Sequence, residues 1–289
     1  MREVSVKIRL DDGTFSRSKK DMRRRLNLNY LSLTNKTLPT GEYDFPTLYC
    51  STDILPDYLA LYNQPGIYHR TALTGVCFYV YDNVFDGLHG LFNAIYYNDR
   101  ELLNYYKERL KDVQFIISPD YSQFGDLHKV ENLIRLWKAR IVTLWFIVEL
   151  HAVAIPSATY ISADTFPLFF SGIENCQVIA FSTKGHVRYA AERNLLKSAV
   201  KYAVDNLPLK TIVVYSVCGK DSTSLKLFKY AIDHGVNVVI PQNSLRERNQ
   251  RRCAARTELQ AVRQTGLTEH RLQSNRVNCS LWYLIMKQI

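Results

Sequence analysis

The chain of 289 residues can form one large α/β domain or two smaller ones, and its 47% hydrophobic and 22% charged residues are typical of folded proteins, not of disordered or fibrous ones. The most apolar stretch, residues 141–148, is far shorter than the roughly 20 residues that cross a membrane, and the alternating N-terminus does not resemble a signal peptide. The formal net charge of +10 comes from the two ends, with +4 in residues 1–45, +6 in residues 243–289 and zero between them.

Residues 1–70 are predicted to form an N-terminal arm that wraps around the rest of the protein. Four prolines interrupt this segment, at positions 39, 46, 56 and 65, and only residues 4–10 show the alternation of a strand. We expect a hairpin and irregular structure here and no second core. A basic run at residues 17–25 supplies Arg23, Arg24 and Arg25 as candidate nucleic-acid contacts.

Residues 71–242 are predicted to form the core domain, because short apolar runs alternate there with longer amphipathic stretches. The predicted strands are residues 75–81, 113–117, 152–155, 177–181, 211–215 and 237–240. The predicted helices are residues 99–111, 127–150, 187–206 and 222–234. This order indicates repeated strand and helix units.

The strands are continuous apolar runs, which is typical of a mainly parallel sheet that is buried on both faces. Repeated βα units of this kind fit a TIM-barrel-like fold, complete or incomplete, or an open doubly wound sheet. We favour the barrel over the open sheet, although closure of a barrel leaves no local mark in a sequence.

Polar residues follow each predicted strand, and in either architecture these loops gather at one face, where ligands bind. Asp82 and Asp120 are candidate catalytic carboxylates on this face. The candidate ligand or phosphate contacts are Ser118, Ser182, Thr183, Lys184, Gly185 and Lys220. Ser, Thr and Asp are equally the residues that cap the helix after a strand, so a structural role is the alternative for each.

Two of these loops have features of phosphate-binding segments. Residues 182–186, S-T-K-G-H, lead from a strand towards a helix, where free backbone amides bind anions, but the full G-x-x-x-x-G-K-[ST] motif is absent. Residues 217–223, V-C-G-K-D-S-T, resemble the S-G-G-x-D-S loop of the ATP pyrophosphatases. Cys218 replaces the first glycine of that loop, which weakens the resemblance because close approach to phosphate depends on it.

Residues 243–289 are predicted to form a basic, helical C-terminal extension. If residues 246–256 are helical, Arg248, Arg252 and Arg256 share one face at i, i+4 and i+8, a stripe that can follow a phosphate backbone. A solvated basic surface helix is the alternative, and no helix-turn-helix, zinc-finger or ribonucleoprotein motif supports nucleic-acid binding.

The six cysteines are widely spaced, at positions 50, 77, 176, 218, 253 and 279. No C-x-x-C or C-x-x-H pair is present, which argues against a zinc knuckle and against a small disulfide scaffold. We therefore predict a cytoplasmic protein without a metal site, and the sequence identifies no cofactor.

Several segments in order resemble an uncharacterised domain-of-unknown-function family of bacteria, phages and other mobile elements. They are Y-D-F-P-T-L (43–48), Y-V-Y-D-N (79–83), F-I-I-S-P-D-Y-S (115–122), R-L-W-K-A-R (135–140), V-A-I-P (153–156), F-F-S-G-I (169–173) and V-I-A-F-S-T-K-G (178–185). The resemblance covers about residues 43–220 and implies a cytoplasmic protein linked to mobile DNA, with no established activity. This chain has T-Y-I-S at residues 159–162, where the family tends to have a Trp-Ser pair.

Three functional hypotheses follow from these patterns. The first is a nucleic-acid-associated protein of a phage or mobile-element system that binds the phosphate backbone through its basic ends. The second is an enzyme that acts on a phosphate-bearing or nucleotide ligand at the strand-end loops. The third is an assembly protein whose aromatic residues, 19 Tyr and 13 Phe, contact a protein partner or a second copy of the chain.

Overall fold

The computed structural model describes residues 26–258. The described part begins with a short helix, α1 (Leu31–Thr34), followed by an antiparallel pair of two-residue strands, β1 (Pro39–Thr40) and β2 (Phe45–Pro46). This pair is the hairpin expected in the arm. The strand predicted at residues 4–10 and the basic run at residues 17–25 lie outside the described residues.

A four-stranded parallel sheet follows, with its strands in chain order. It consists of β3 (Tyr58–Leu61), β4 (Thr74–Cys77), β5 (Phe115–Ile117) and β6 (Val153–Ile155). Tyr58 pairs with Thr74, Gly75 pairs with Phe115, and Phe115 pairs with Val153. All strand residues except Leu61 and Val153 are buried, as expected for a sheet that is covered on both faces.

A second, three-stranded parallel sheet contains the later strands. It consists of β7 (Val178–Ser182), β8 (Thr211–Tyr215) and β9 (Asn237–Val239), in chain order. Val178 pairs with Thr211, and Thr211 pairs with Asn237. The mainly parallel α/β architecture predicted from the sequence is therefore confirmed.

Single bridges connect the two sheets at both of their edges. Beyond β6, Ser157 pairs with Ala180 of β7, and the amides of Ala158 and Ala180 donate to Ala180 and Pro156 carbonyls at 2.8 Å. Beyond β9, Gln242 pairs with Tyr58 of β3. These bridges do not merge the strands of residues 26–258 into one closed sheet.

Helices connect the strands and cover the sheets. They are α2 (Leu91–Tyr97), α3 (Arg100–Arg109), α4 (Lys129–Glu149), α5 (Phe166–Phe169), α6 (Ala190–Asn206), α7 (Asp221–Leu227), α8 (Lys229–Asp233) and α9, which is helical from residue 244 through 258. Asp99 caps α3, since its carboxylate accepts the amide protons of Glu101 and Leu102 at 3.1 Å. None of the helices in this described part has an apolar stretch long enough to cross a membrane.

The longest of these helices, α4, packs against the first sheet and carries a buried arginine. Phe146 of α4 lies with its ring centre 5.7 Å from that of Phe78, just beyond β4. Arg140 is 1% exposed, and its guanidinium donates to the carbonyls of Ser171 at 3.0 Å and Phe169 at 2.8 Å. Burial lowers the pKa of Arg140 to about 10, and these carbonyls compensate for part of the lost hydration.

The predicted elements differ from the observed ones at several points, among them α2 and α5, which were not predicted, and β4, which ends at Cys77 and not at residue 81. The segment predicted as one helix at residues 222–234 is divided into α7 and α8 at Phe228. The strand β3 was not predicted, and it lies within the segment expected to form the irregular wrap. The division into residues 1–70, 71–242 and 243–289 stays a prediction.

Candidate functional site at the carboxyl ends of the strands

A pocket of about 410 Å³ opens where the loops after β4, β5, β6 and β7 meet. This volume falls within the range of about 300–1,000 Å³ that is usual for small-molecule sites. The polar residues that line it are Asp120, Ser122, Gln123, Thr159, Ser182, Lys184 and His186. The aromatic residues that line it are Tyr79, Tyr81, Tyr121, Phe124 and Tyr160. Parallel strands bring these loops together because their carboxyl ends share one edge.

Asp120 is the carboxylate of this pocket. It follows Pro119 directly after β5, is partly exposed, and receives no hydrogen bond to its carboxylate from any residue in the range 26–258. Burial raises the pKa of Asp120 to about 7, repulsion from Asp82 adds to the rise, and the Lys184 ammonium partly opposes it. The carboxyl therefore titrates near neutral pH, as a general acid or base does.

Lys184 also lines the pocket and is held by its own loop and by the loop after β4. Its ammonium donates to the Tyr79 carbonyl at 2.8 Å and lies 5.6 Å from the centre of the Tyr81 ring. Its amide donates to Ser182 Oγ at 3.0 Å. Gly185 has a φ of +88°, a conformation that side chains rarely adopt, which turns the chain towards His186.

His186 and Tyr160 form the wall next to Lys184. Their ring centres are 5.4 Å apart, and His186 Nδ1 lies 3.4 Å from a Glu192 carboxylate oxygen. Burial lowers the pKa of His186, although Glu192 opposes this effect. Burial and the nearby Asp120 raise the pKa of Tyr160, so its hydroxyl keeps its proton.

Asp82, the other candidate catalytic carboxylate, is engaged in ordering the protein. It begins a short 3-10 helix (Asp82–Val84), and its carboxylate accepts the Ser122 amide at 3.1 Å and the Ser122 hydroxyl at 3.0 Å. Arg135 of α4 pairs with the same carboxylate at 2.5 Å. Asp82 thereby fixes the loop that carries Asp120.

The remaining predicted ligand contacts divide into two groups. Ser182, Lys184 and Gly185 line the pocket with Asp120. Ser118 and Thr183 are buried beneath it: Ser118 Oγ accepts the Ser157 amide at 2.6 Å, and Thr183 Oγ1 accepts the Val217 amide at 2.9 Å. Lys220 is exposed just before α7, away from the lining of the pocket.

The predicted arginine stripe is helical and exposed. Arg248, Arg252 and Arg256 all lie on α9 and are exposed to solvent. Arg23, Arg24 and Arg25 lie outside the described residues. Among residues 26–258, no group of three or more His, Cys, Asp or Glu side chains could hold a metal ion.

The start of α9 is fixed on the strand-end side of β8. Asn243 Nδ2 donates to the Ser216 carbonyl at 2.9 Å, and Asn249 Nδ2 donates to the Val217 carbonyl at 2.7 Å. Arg246 is 3% exposed and pairs with Asp221. Gly219 allows the close approach, because a Cβ there would lie 2.6 Å from Cys253 Sγ and 2.8 Å from the Asn249 carbonyl oxygen.

Short hydrogen-bonded steps connect the stripe to the pocket. Val217, which binds Asn249, donates its amide to Thr183 Oγ1 at 2.9 Å. Thr183 immediately precedes Lys184 of the pocket. The start of α9 and the pocket are therefore built on neighbouring loops at the carboxyl ends of β7 and β8.

Several residues that line the pocket were not predicted from the sequence, among them Tyr81, Gln123 and Tyr160. Tyr160 lies in the T-Y-I-S segment where the resembled family tends to have Trp-Ser, and it lines the pocket. An aromatic residue in a strand-end loop was the available signal for Tyr81 and Tyr160. Gln123 carried no such signal, since it lies one residue beyond the S-P-D-Y-S loop.

Two comparisons with known proteins identify the relatives of this chain. A family model described as "Domain of unknown function (DUF4417)" matches residues 39–235, which confirms the resemblance found in the sequence. The chain is also 27% identical over 146 residues to the "Gene 1 protein" of Mycobacterium phage L5. That match covers 50% of this chain and 59% of the phage protein, so the chain spans little more than half of its relative.

Proposed function

The chain belongs to the DUF4417 family, and from the placement of its charges we propose that it binds nucleic acid in a phage or mobile-element system. The observation that carries the proposal is the exposed stripe of Arg248, Arg252 and Arg256 on α9, a helix whose start is bound to the loop after β8. Guanidinium groups one helical turn apart can follow successive phosphates. The phage relative supports the setting and says nothing about the ligand.

The charges around the stripe favour an anionic polymer over a small acidic ligand. Arg251 is also exposed on α9, and Glu247, the acidic residue beside the stripe, is already paired with Arg70 at 2.9 Å. Within the described residues, α9 therefore presents four exposed arginines against one exposed glutamate, Glu258. A cytoplasmic location, where nucleic acid is accessible, is part of this proposal.

A salt series tests the proposal directly. Fluorescence anisotropy with a labelled single-stranded and a labelled duplex oligonucleotide is measured from about 25 to about 300 mM salt. We expect binding at low salt whose log Kd rises linearly with log salt, with a slope of about 0.7 per phosphate contact on a single strand and about 0.9 on a duplex. Absence of binding to both oligonucleotides at about 25 mM salt would refute the proposal.

A second candidate function is an enzyme that acts on a phosphate-bearing or nucleotide ligand in the pocket. Asp120 favours it, because a partly exposed carboxyl with a pKa of about 7, whose carboxylate accepts no hydrogen bond from residues 26–258, suits proton transfer. A panel of nucleotides with and without Mg²⁺ or Mn²⁺, followed by chromatography of the products, tests this candidate. Conversion of a nucleotide that is lost in Asp120→Asn supports this candidate, and the absence of conversion of every nucleotide in the panel contradicts it.

The barrel-like arrangement expected from the sequence is also part of the proposal. Strand pairing runs from β3 to β6 in one sheet and from β7 to β9 in the other. The bridges Ser157 to Ala180 and Gln242 to Tyr58 would close these seven strands into a ring. Tyr79, two residues beyond β4, and Tyr215 of β8 have ring centres 4.9 Å apart and would fill the interior of that ring.

A further inference from the structure

The aromatic lining and the balance of charge in the strand-end pocket indicate the kind of molecule that it can hold. Tyr81, at the rim, is 79% exposed, and Phe124 is 51% exposed. One carboxylate, Asp120, and one ammonium, Lys184, face the space, and the ammonium already donates to a carbonyl. A flat ring of low net charge suits these walls better than a bare phosphate group does.

Several polar atoms at this site have no partner. The Gln123 amide nitrogen and oxygen, Thr159 Oγ1 and Tyr160 Oη are buried and form no hydrogen bond with any residue in the range 26–258. All three residues line the pocket, and Thr159 is only 7% exposed. A buried polar atom without a partner is costly, so a group of them at one pocket points to a ligand that has both donors and acceptors.

Asp120 adds a directional requirement. A carboxylate is an acceptor only, and the Asp120 carboxylate receives no hydrogen bond within the described residues, so the ligand must present N–H or O–H groups to it. Exocyclic amino groups of nucleobases satisfy acidic side chains in this way, and a Gln amide can bind a base edge through its donor and acceptor together.

From these features we propose that the pocket takes one unstacked nucleobase that carries an exocyclic amino group. Tyr81 stacks on the base, Asp120 accepts its amino protons, and Gln123 binds a second position on its edge. The inference rests on the proposed nucleic-acid function. Thr183 and Val217 connect the loop of the pocket to the start of α9, so the phosphates of a single strand would lie along α9 while one of its bases enters the pocket.

Oligodeoxycytidylate and oligodeoxyuridylate of ten nucleotides test this base specificity. They share one backbone and differ at positions 3 and 4 of the base: cytosine has a ring-nitrogen acceptor and an amino group, where uracil has an N–H donor and a carbonyl. Anisotropy is measured at pH 8, where the Asp120 carboxyl is ionised. We expect the wild-type protein to bind the cytidine oligonucleotide roughly tenfold more tightly, the size of one good base contact.

Two variants assign the preference to the pocket. Asp120→Asn should reduce the ratio of the two Kd values to within roughly twofold, because an amide replaces the acceptor-only carboxylate. Tyr81→Ala should weaken both complexes by roughly tenfold through lost stacking. Tyr49→Ala removes a tyrosine that is 60% exposed and does not line the pocket, so it serves as the control and should leave both Kd values unchanged.

The outcomes separate this inference from the proposal beneath it. If the wild-type protein binds neither oligonucleotide at low salt, both the nucleic-acid function and the base pocket are overturned. If it binds both equally with a steep salt dependence, the nucleic-acid function stands and the base pocket is overturned. An unchanged cytidine preference in Asp120→Asn would also overturn the base pocket.

Discussion

Asp120→Asn should stabilise the protein above neutral pH and leave its stability unchanged in acid. The pKa of Asp120 is raised from 3.8 to about 7 in the folded protein, so the folded state binds this proton more tightly than the unfolded state does. The stability that the protonated carboxyl provides is therefore fully present below pH 4 and is lost as the pH rises through about 7. Asparagine carries no such proton, so the variant escapes the loss.

The difference between a pKa of 3.8 and one of about 7 corresponds to about 4 kcal/mol. Asp120 is partly exposed to the pocket, and solvent screening reduces the effect, so we expect about 2 kcal/mol at pH 8.5. Asp82, Lys184, Tyr79 and Tyr160 are the titratable groups coupled to this carboxyl, and all of them remain in the variant.

Urea unfolding of the wild-type protein and of Asp120→Asn, at intervals from pH 4.5 to 8.5, measures this difference. Asp53→Asn, which changes an exposed aspartate, is the control and should differ from wild type by the same small amount at every pH. A constant difference for Asp120→Asn across the range, or a variant less stable than wild type at pH 8.5, would contradict the raised pKa of Asp120.

Two further substitutions test the docking of α9 and the support of α4. Gly219→Ala should lower the free energy of unfolding by about 1–3 kcal/mol and weaken oligonucleotide binding, because its Cβ would collide with Cys253 and Asn249 on α9. The control is Gly66→Ala, where a Cβ meets nothing within 4 Å and binding should hardly change. Equal effects of the two variants in anisotropy and urea unfolding would refute the docking of α9. Arg140→Met should lower the free energy of unfolding in urea by about 3 kcal/mol, since it leaves the Phe169 and Ser171 carbonyls without donors. Arg188→Met, which changes an exposed arginine, should alter that free energy by no more than about 0.5 kcal/mol. Similar values for the two variants would contradict this role of Arg140.

The parallel strands could be predicted from the sequence because their residues are buried on both faces. Runs such as T-I-V-V-Y, which became β8, have no solvent-facing positions and therefore no alternation. The strand β3 could not be predicted in this way, because Y-L-A-L is short and lies between Pro56 and Pro65. Its place in the sheet depends on pairing with β4 and on the bridge to Gln242, which are not encoded locally.

The position of the candidate site at the carboxyl ends of the strands could be predicted, but the ion pairs and contacts that its residues form could not. Asp82 and Asp120 both follow strands, and the sequence favours Asp120 only through Pro119, which restricts the turn before it. In the structure, Arg135, which lies 53 residues beyond Asp82, pairs with that carboxylate, while Asp120 faces the pocket without a partner. Gly219 lies in the loop 217–223, which resembles a phosphate-binding segment. Its close contact is with α9, a helix distant in the sequence, so the loop sequence does not predict that contact.

The arginine stripe is the most direct test of nucleic-acid binding. The charge reversal Arg248→Glu, Arg252→Glu and Arg256→Glu is compared with Lys111→Glu, Lys197→Glu and Lys210→Glu, which changes three exposed lysines elsewhere in the chain by the same total charge. The slope of log Kd against log salt is measured for each on one single-stranded oligonucleotide. We predict that the arginine variant loses about 2 from the slope, at about 0.7 per phosphate contact, and that the lysine variant keeps the wild-type slope. Equal slopes for the two variants would contradict the assignment of this surface to nucleic acid.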